Sequence, residues 1–405
     1  MKIELSRSPS LPWIAISVYA IFQLIILMTW APLEKGELNV FLTSIGVVTL
    51  PKPYADFRTI SEGIPYYEQG GDPYGSSDYD FIARKFNYPP IWLKLSFLGV
   101  EESELRYIYI TFGSLFSIGL GLLFLREKNP LWFLTIPFIL SPPILLGLER
   151  CNNDLLVFFL VVLAVWFVRD QSKKNMDWIG GLLILVATVL KVFPVFAFWV
   201  FIRNSWKRSM IVLLPFACVC LGYYLSIKSI LDLIRENTPV SAFLSFGIKV
   251  LPYYLSLKFS DSLLAQGPWL LAVAFFSVVL IFLVGYRLGK EGEDLENFES
   301  YDTALFRVGS GIHLAAFLLG SNYDYRLMFL LLTLPWACRK LSEVGPIRKW
   351  MIFYLPLVLF VFWMNGQYGE TVLVLNELAN WSIFFVLVAL QFKLLPQFVR
   401  DTVYR

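Results

Sequence analysis

The amino-acid sequence predicts an all-α, polytopic membrane protein with roughly 11 to 13 hydrophobic helices. Three observations carry that expectation. The 405 residues are 57% hydrophobic and only 16% charged, where soluble domains carry roughly 25% charge; the mean hydropathy is +0.63. Apolar runs of about 20 residues recur along the whole chain. The loops between them are alternately basic and rich in acids, amides and aromatics, and basic loops mark the cytoplasmic side.

The elements follow in order. A first helix spans residues 11–32, and Lys2 and Arg7 before it place the N-terminus in the cytoplasm. No small-residue cleavage site is evident, so this run reads as a retained helix rather than a signal peptide. Residues 33–106 form a long polar segment with 11 acids and 7 bases. It is too acidic for an inner loop and too aromatic for a disordered one. The second helix covers 107–125 and ends at Arg126 and Lys128. The third covers 130–148, where Pro142-Pro143 must break or kink it because proline removes a backbone donor and clashes with the preceding turn. The chain emerges at Glu149-Arg150, and a fourth helix over 155–168 returns to Arg169, Lys173 and Lys174.

Residues 178–202 are apolar, yet Lys191 and Pro194 sit in their middle and both flanks are basic. A straight span would put positive charge on both sides of the membrane. A hairpin of two short helices, turning at Lys191-Val192-Phe193-Pro194, keeps both flanks inside. Non-helical backbone at that depth is tolerated only within protein or beside a water-filled cavity. The hairpin is the expected form. A helix over 210–227 then leads outward, and 228–266 is expected to be a second outer segment with interfacial helices. Later helices are expected over 268–288, 302–320, 327–337, 350–364 and 378–395. The loop over 289–301 is acidic, but acids weigh little in orientation, and Arg287 and Lys290 fit an inner loop. Lys393, Arg400 and Arg405 place the C-terminus inside as well. No soluble domain and no repeat stands out, so residues 1–405 read as one domain.

Some chemistry is excluded. The four cysteines, Cys151, Cys218, Cys220 and Cys338, show no metal-type spacing and no disulfide framework. The single histidine, His313, rules out a zinc site built on several histidines. No glycine loop that would cradle a nucleotide phosphate is visible.

Four polar clusters fall on the expected outer side. The first is Tyr54-Ala55-Asp56-Phe57-Arg58, followed in the same segment by Gly71-Asp72-Pro73-Tyr74 and Phe86-Asn87-Tyr88-Pro89-Pro90. A carboxylate beside an aromatic ring can take the proton of a sugar hydroxyl while the ring faces the sugar, provided it lies within hydrogen-bond reach. Read alone, Asp56 also fits a solvated loop acid or a helix cap, the glycine motif a turn, and the proline pair a helix start. The second cluster is Glu149-Arg150-Cys151-Asn152-Asn153-Asp154. One Asn or Asp suffices as a helix cap; the others suit hydrogen bonds to a saccharide, and Arg150 suits a bidentate phosphate. The third is Lys191, expensive at membrane depth unless paired or facing water; it either snorkels to an interface or contacts a phosphate. The fourth is Asn322-Tyr323-Asp324-Tyr325-Arg326, either a salt-bridged turn or a phosphate site in which Asp324 orients Arg326. His313, in the preceding apolar run, reads as a buried core histidine. A passive bundle has no need to gather acids, amides and cations on one face, whereas functional sites do gather them.

At these clusters the chain resembles the GT-C superfamily of membrane glycosyltransferases. Within it, the chain looks most like the polyprenyl-phosphate-mannose-dependent mannosyltransferases of glycosyltransferase family 87. The likeness rests on Asp56-Phe57, Gly71 to Tyr74, Tyr88 to Pro90, Asn152-Asn153-Asp154, Lys191 to Pro194 and Tyr325-Arg326, spread over about residues 10–395. It implies a GT-C-like bundle that moves a hexose, mannose or a relative, from a polyprenyl phosphate carrier to a glycan or glycolipid acceptor at the extracytoplasmic face of the cell membrane. It also makes Asp56 the catalytic base. The adjacent pair of acids found in many relatives is absent, since Ala55 and Phe57 flank Asp56; Glu62 and Asp72 remain as second carboxylates.

The expected reaction inverts configuration as attack at the anomeric carbon expels a lipid phosphate. Cations must hold the departing charge, in a water-poor site where such stabilisation is usually the largest catalytic effect; Lys191, Arg326 and Arg150 are the candidates. Asn152, Asn153, Asp154, Tyr88, Tyr325, Arg58 and Asp324 complete the expected substrate-binding set. No cofactor is expected and no divalent metal is required, although Asp56 and Glu149 could bind one. The expected partners are the lipid-linked donor, the acceptor and membrane lipids, with no nucleic acid. A lipid-linked sugar flippase or transporter is the rival reading, and a non-catalytic assembly subunit the third. A transporter would bury charges along a path reaching both faces, often in repeated halves.

Overall fold

A computed structural model describes residues 36–98, 104–124, 130–169, 176–202, 205–259, 269–290, 300–364 and 368–404. The first expected helix, over 11–32, lies outside them, as do the basic loops at 126–128, 173–174 and 203.

The polar segment after that helix is itself helical. It contains α1 (Gly36–Ser44), α2 (Ala55–Glu68) and a 3₁₀ helix at Trp92–Leu98. The indole N–H of Trp92 donates to the carbonyl of Leu190 at 3.0 Å, which satisfies an acceptor that a helix end leaves open. Next comes α3 (Leu105–Phe124), long and apolar enough to cross a membrane. The following span is broken as the proline pair requires. A 3₁₀ stretch (Pro130–Thr135) and α4 (Ile136–Ile139) meet α5 (Pro142–Glu149) at a bend of 48°. The central α6 (Asp154–Val168) buries Leu155, Val157, Phe158, Val161, Val162 and Val165 among its neighbours.

The expected hairpin is present. Helix α7 (Met176–Leu190) stops at Lys191, and a 3₁₀ helix (Phe193–Phe201) follows and packs against it. The two flanks meet at one end: Asp177, in the first turn of α7, pairs with Arg208 at 3.0 Å. Arg208 belongs to α8 (Trp206–Asn237), which runs ten residues past the end expected at 227. Ile230, Leu231, Leu233 and Ile234 continue the apolar helical spacing, while the charges that suggested a loop, Lys228, Asp232, Arg235 and Glu236, fall between them. The last residue of α8 is anchored, since Asn237 Nδ2 donates to the carbonyls of Tyr74 and Phe86, each at 3.0 Å.

The second half holds β1 (Ser245–Phe246), α9 (Val250–Lys258), α10 (Trp269–Lys290), α11 (Tyr301–Leu319) and β2 (Asn322–Tyr323). A 3₁₀ helix (Asp324–Thr333), α12 (Leu334–Ser342), α13 (Pro346–Trp363), α14 (Glu370–Lys393) and α15 (Gln397–Val403) complete it. The expected helix over 327–337 is thus divided between a 3₁₀ turn and α12. The two strands pair antiparallel, Ser245 with Tyr323 and Phe246 with Asn322. Gly247 makes this ribbon possible: its φ is 133°, and a Cβ there would fall on the carbonyl of Gly320.

Among the described residues, five helices can cross a membrane by length and composition, six with the bent pair, and α6 and α7 are shorter apolar helices. Their faces differ as bilayer immersion demands. α8 exposes Ile211, Leu214, Leu221 and Leu225, and α10 exposes Phe275, Phe276, Leu280 and Leu283. By contrast α11 is buried almost throughout, against the two 3₁₀ segments 193–201 and 324–333. The fold is an all-helical membrane bundle.

Candidate functional site

The start of α2 is built against the end of α5. Tyr54 adopts a left-handed backbone with φ 60°. The N–H groups of Tyr54 and Asp56 then donate to the carbonyls of Glu149 and Arg150 at 3.0 and 3.1 Å. Asp56 therefore stands in the first turn of α2, facing the corner between α5 and α6. That corner turns through Cys151, also left-handed with φ 49°, and directs Asn152 across the gap. Asn152 Nδ2 donates to Asp56 Oδ2 at 2.6 Å.

The cations approach from two other directions. Lys191 Nζ, at the hairpin turn, donates to Asn152 Oδ1 at 3.1 Å and to Asn153 Oδ1 at 2.7 Å. It also lies 2.7 Å from Asp154 Oδ1. Arg326, delivered by the turn after β2, places Nε 3.5 Å from Asp154 Oδ2 and donates from Nη1 to Asn322 Oδ1. Asp154 is fully buried, and a carboxylate so placed persists only when paired; here two cations share it. Aromatic faces complete the surround: Lys191 lies 5.5 Å from the ring of Tyr88 and 5.7 Å from that of Tyr325, and Arg326 lies 4.5 Å from that of Phe193. Such contacts are worth most where water is excluded. The Tyr88 hydroxyl donates to the Asp56 carbonyl at 3.2 Å. Burial, and after it the Asp56 carboxylate, push this phenol well above its ordinary range, so it stays protonated.

The structure thus brings together Asp56, Tyr88, Asn152, Asn153, Asp154, Lys191, Tyr325 and Arg326. Three expected residues stand elsewhere. Arg58 donates to the Pro53 carbonyl at 2.8 Å and sits 3.7 Å from Glu62; two positions apart on one helix, Asp56 and Arg58 do not face each other. Arg150 is buried but turned to other partners, donating to the Val48 carbonyl at 3.4 Å and stacked 6.0 Å from Tyr323. Asp324 does not orient Arg326. Asn322 and Asp154 do that, while the Asp324 N–H donates to the Leu244 carbonyl at 2.9 Å. His313 is buried as expected, stacked 5.1 Å from Phe246, but both ring nitrogens lack a hydrogen-bond partner among the described residues.

Sequence reasoning missed Arg84. Its Nη1 lies 3.1 Å from Asp56 Oδ1, so it holds the carboxylate oxygen that Asn152 leaves. A lone arginine between two motifs gave no signal in the sequence beyond its sign, a base in an acidic segment. Among the described residues, no group of three or more His, Cys, Asp or Glu side chains could hold a metal ion.

Membrane-length helices around such a cluster make the chain an integral membrane protein with a polar site at one end of its bundle. Residues 86–308, more than half the chain, match the model of glycosyltransferase family 87. The chain belongs to glycosyltransferase family 87 and is a membrane glycosyltransferase. No curated protein matches it. The matched stretch contains Tyr88, the Asn152 corner and Lys191; Asp56 and Arg326 lie outside it and join it through the contacts above.

Proposed function

We propose that this glycosyltransferase moves a hexose, mannose or a relative, from a polyprenyl phosphate to a glycan or glycolipid acceptor at the extracytoplasmic face, with inversion. In this reading Asp56 takes the proton of the attacking hydroxyl. The acceptor oxygen bonds to the anomeric carbon as the bond from that carbon to the phosphate oxygen breaks, and the lipid phosphate leaves with the electron pair. The observation that carries the proposal is the convergence of the Asp56 carboxylate, a second buried carboxylate at Asp154, three asparagine amides and two cations from four separate stretches. General-base catalysis needs the first and a leaving phosphate needs the last.

The roles divide by what each group still has free. Arg326 keeps Nη2 without a protein partner among the described residues, and it is the proposed phosphate ligand. The Asn153 amide nitrogen is buried and also without a partner among the described residues, which suits it to donate to a sugar or phosphate oxygen. Lys191 is already engaged by Asn152, Asn153 and Asp154. In the proposal it holds the corner and supplies positive field rather than a direct phosphate contact. Arg150, turned to Val48 and Tyr323 rather than to Asp154, is assigned the acceptor side.

The test is incubation of the purified protein with synthetic polyprenyl-phosphate hexoses and acceptor, following lipid phosphate release. Release is expected with one hexose at least, and Asp56→Asn should slow it about 10²- to 10⁴-fold while the protein still folds. Normal turnover by Asp56→Asn would overturn the base assignment. Absence of release with every lipid-phosphate hexose would overturn the donor class.

A further inference from the structure

We propose that Arg84 is the positioning residue that fixes the Asp56 carboxylate for proton abstraction, an inference that rests on the reading of Asp56 as base. A carboxylate on a short side chain can rotate, and one donor leaves it a hinge. Asp56 has two donors on opposite sides. Asn152 holds Oδ2 from the helix corner at 2.6 Å, and Arg84 holds Oδ1 from the polar loop at 3.1 Å. A carboxylate offers about four lone-pair sites. These contacts take two, so the carboxylate is held while sites remain for an acceptor hydroxyl.

Arg84 is itself held. Its Nη2 donates to the Ala55 carbonyl at 2.5 Å and to Asp80 Oδ2 at 3.1 Å, and its Nε lies 3.3 Å from the same oxygen. One planar guanidinium thereby clasps the carboxylate, the backbone of the residue before it, and a second carboxylate. Only a rigid fork of donors can do this. Asp80 is fixed in turn by Thr59 Oγ1 at 2.7 Å, one turn along the helix that carries Asp56, and by the N–H groups of Ile82 and Arg84 at 3.0 and 3.2 Å. Ala83, with φ 57°, puts a left-handed backbone directly before the arginine. Such backbone is costly outside glycine and persists where the surroundings over-determine it.

The arrangement predicts a kinetic signature that a merely structural role would not give. Arg84→Met should lower kcat about 10²-fold, the scale of a misplaced catalytic group, with KM for the lipid-phosphate donor within about twofold because the phosphate side of the site is untouched. Arg84→Lys, which restores charge but not the fork, should recover part of the loss. Dilute guanidinium added to Arg84→Ala should recover part of it too. In an Asp56→Asn background, Arg84→Met should cost nothing more. Wild-type kcat in Arg84→Met, a rise in KM at unchanged kcat, or full additivity with Asp56→Asn would each overturn the inference. Should Arg84→Met not fold, Arg84→Lys and the guanidinium titration decide it: no loss in the first or no rescue in the second overturns it. An active Asp56→Asn would instead sink the base assignment, so the two failures remain distinct.

Discussion

The Asn152 amide nitrogen donates to Asp56 Oδ2 at 2.6 Å. Because Asn152 Oδ1 accepts from Lys191 on the other side, a single amide separates the acid from the ammonium and sets the polarity between them. Asn152→Asp keeps the size and reverses that logic. It puts a second carboxylate within hydrogen-bond distance of Asp56, where like charges repel and Asp56 must turn away or share a proton. The expected outcome is a fall in kcat of about 10²-fold with the fold intact, measured as lipid phosphate release by purified protein. Activity equal to wild type would show that the amide only caps the helix.

The order and limits of the helices were largely legible in the sequence, because apolar period and basic flanks are local signals. The hairpin at Lys191 was legible for an additional reason: charge on both flanks of one apolar run conflicts with a single crossing, and the Asp177–Arg208 pair shows how the chain resolves it. The extension of α8 was not, since charge interleaved with apolar residues reads equally as a loop or as an amphipathic turn. At the site, sequence motifs found the residues whose backbone turns carry them, Asp56 after Tyr54 and Asn152 after Cys151. They set Arg58 beside Asp56 and Asp324 beside Arg326 because adjacency in sequence stood in for adjacency in space; Arg58 turns to Pro53 and Glu62, and Arg326 is held by Asn322 and Asp154. Arg84 reaches Asp56 across 28 residues, and a contact of that range leaves no trace in one sequence.

The close approach of α11 to the Arg326 segment gives a second expectation. A Cβ on Gly309 would stand 2.7 Å from Leu332 Cβ and 2.7 Å from the Phe329 carbonyl oxygen. Backbone cannot retreat as a side-chain tip can. Gly309→Val should therefore destabilise the protein by about 1–3 kcal/mol, the usual cost of overpacking a filled core, and displace the segment that delivers Arg326. Thermal unfolding in detergent should show the lower midpoint, with an unchanged midpoint counting against this packing.

Acid should loosen the loop that holds Arg84. Burial alone would raise Asp80, but the Arg84 charge and the hydrogen bonds from Arg84, Thr59 and Ile82 outweigh it and hold the carboxyl below its ordinary range. A group depressed on folding stabilises the protein above its unfolded pKa, about 3.9, and that contribution is lost as pH falls through the lower folded value. Glu62 is shifted the other way, by burial and then by Asp80, so its penalty is relieved on acidification. Below about pH 4 the Asp80 clasp should open and cleavage within residues 72–90 by an acid protease should accelerate. Asp80→Asn should be cleaved faster than the wild type above about pH 4, by a neutral protease as well, and should gain little more than the protease's own pH response on acidification.

Lys191 and Arg326 share one aspartate but should fail differently when replaced. Lys191 has its ammonium committed to Asn152, Asn153 and Asp154, all buried. Lys191→Met leaves Asp154 with Arg326 alone, at 3.5 Å. Removing one partner of a buried pair costs about 3–5 kcal/mol, discounted here because the second cation remains. The expected result is a lower unfolding midpoint together with lost activity. Arg326→Lys keeps a positive charge near Asp154 but removes the fork that spans Asn322, Asp154 and the free Nη2. Its midpoint should stay close to wild type, while KM for the lipid-phosphate donor rises and inhibition by free polyprenyl phosphate weakens, by about tenfold for each 1.4 kcal/mol of lost contact. Thermal unfolding and product inhibition measured on both variants separate the two roles. If Lys191→Met kept its midpoint and lost only phosphate affinity, the direct phosphate contact would pass from Arg326 to Lys191.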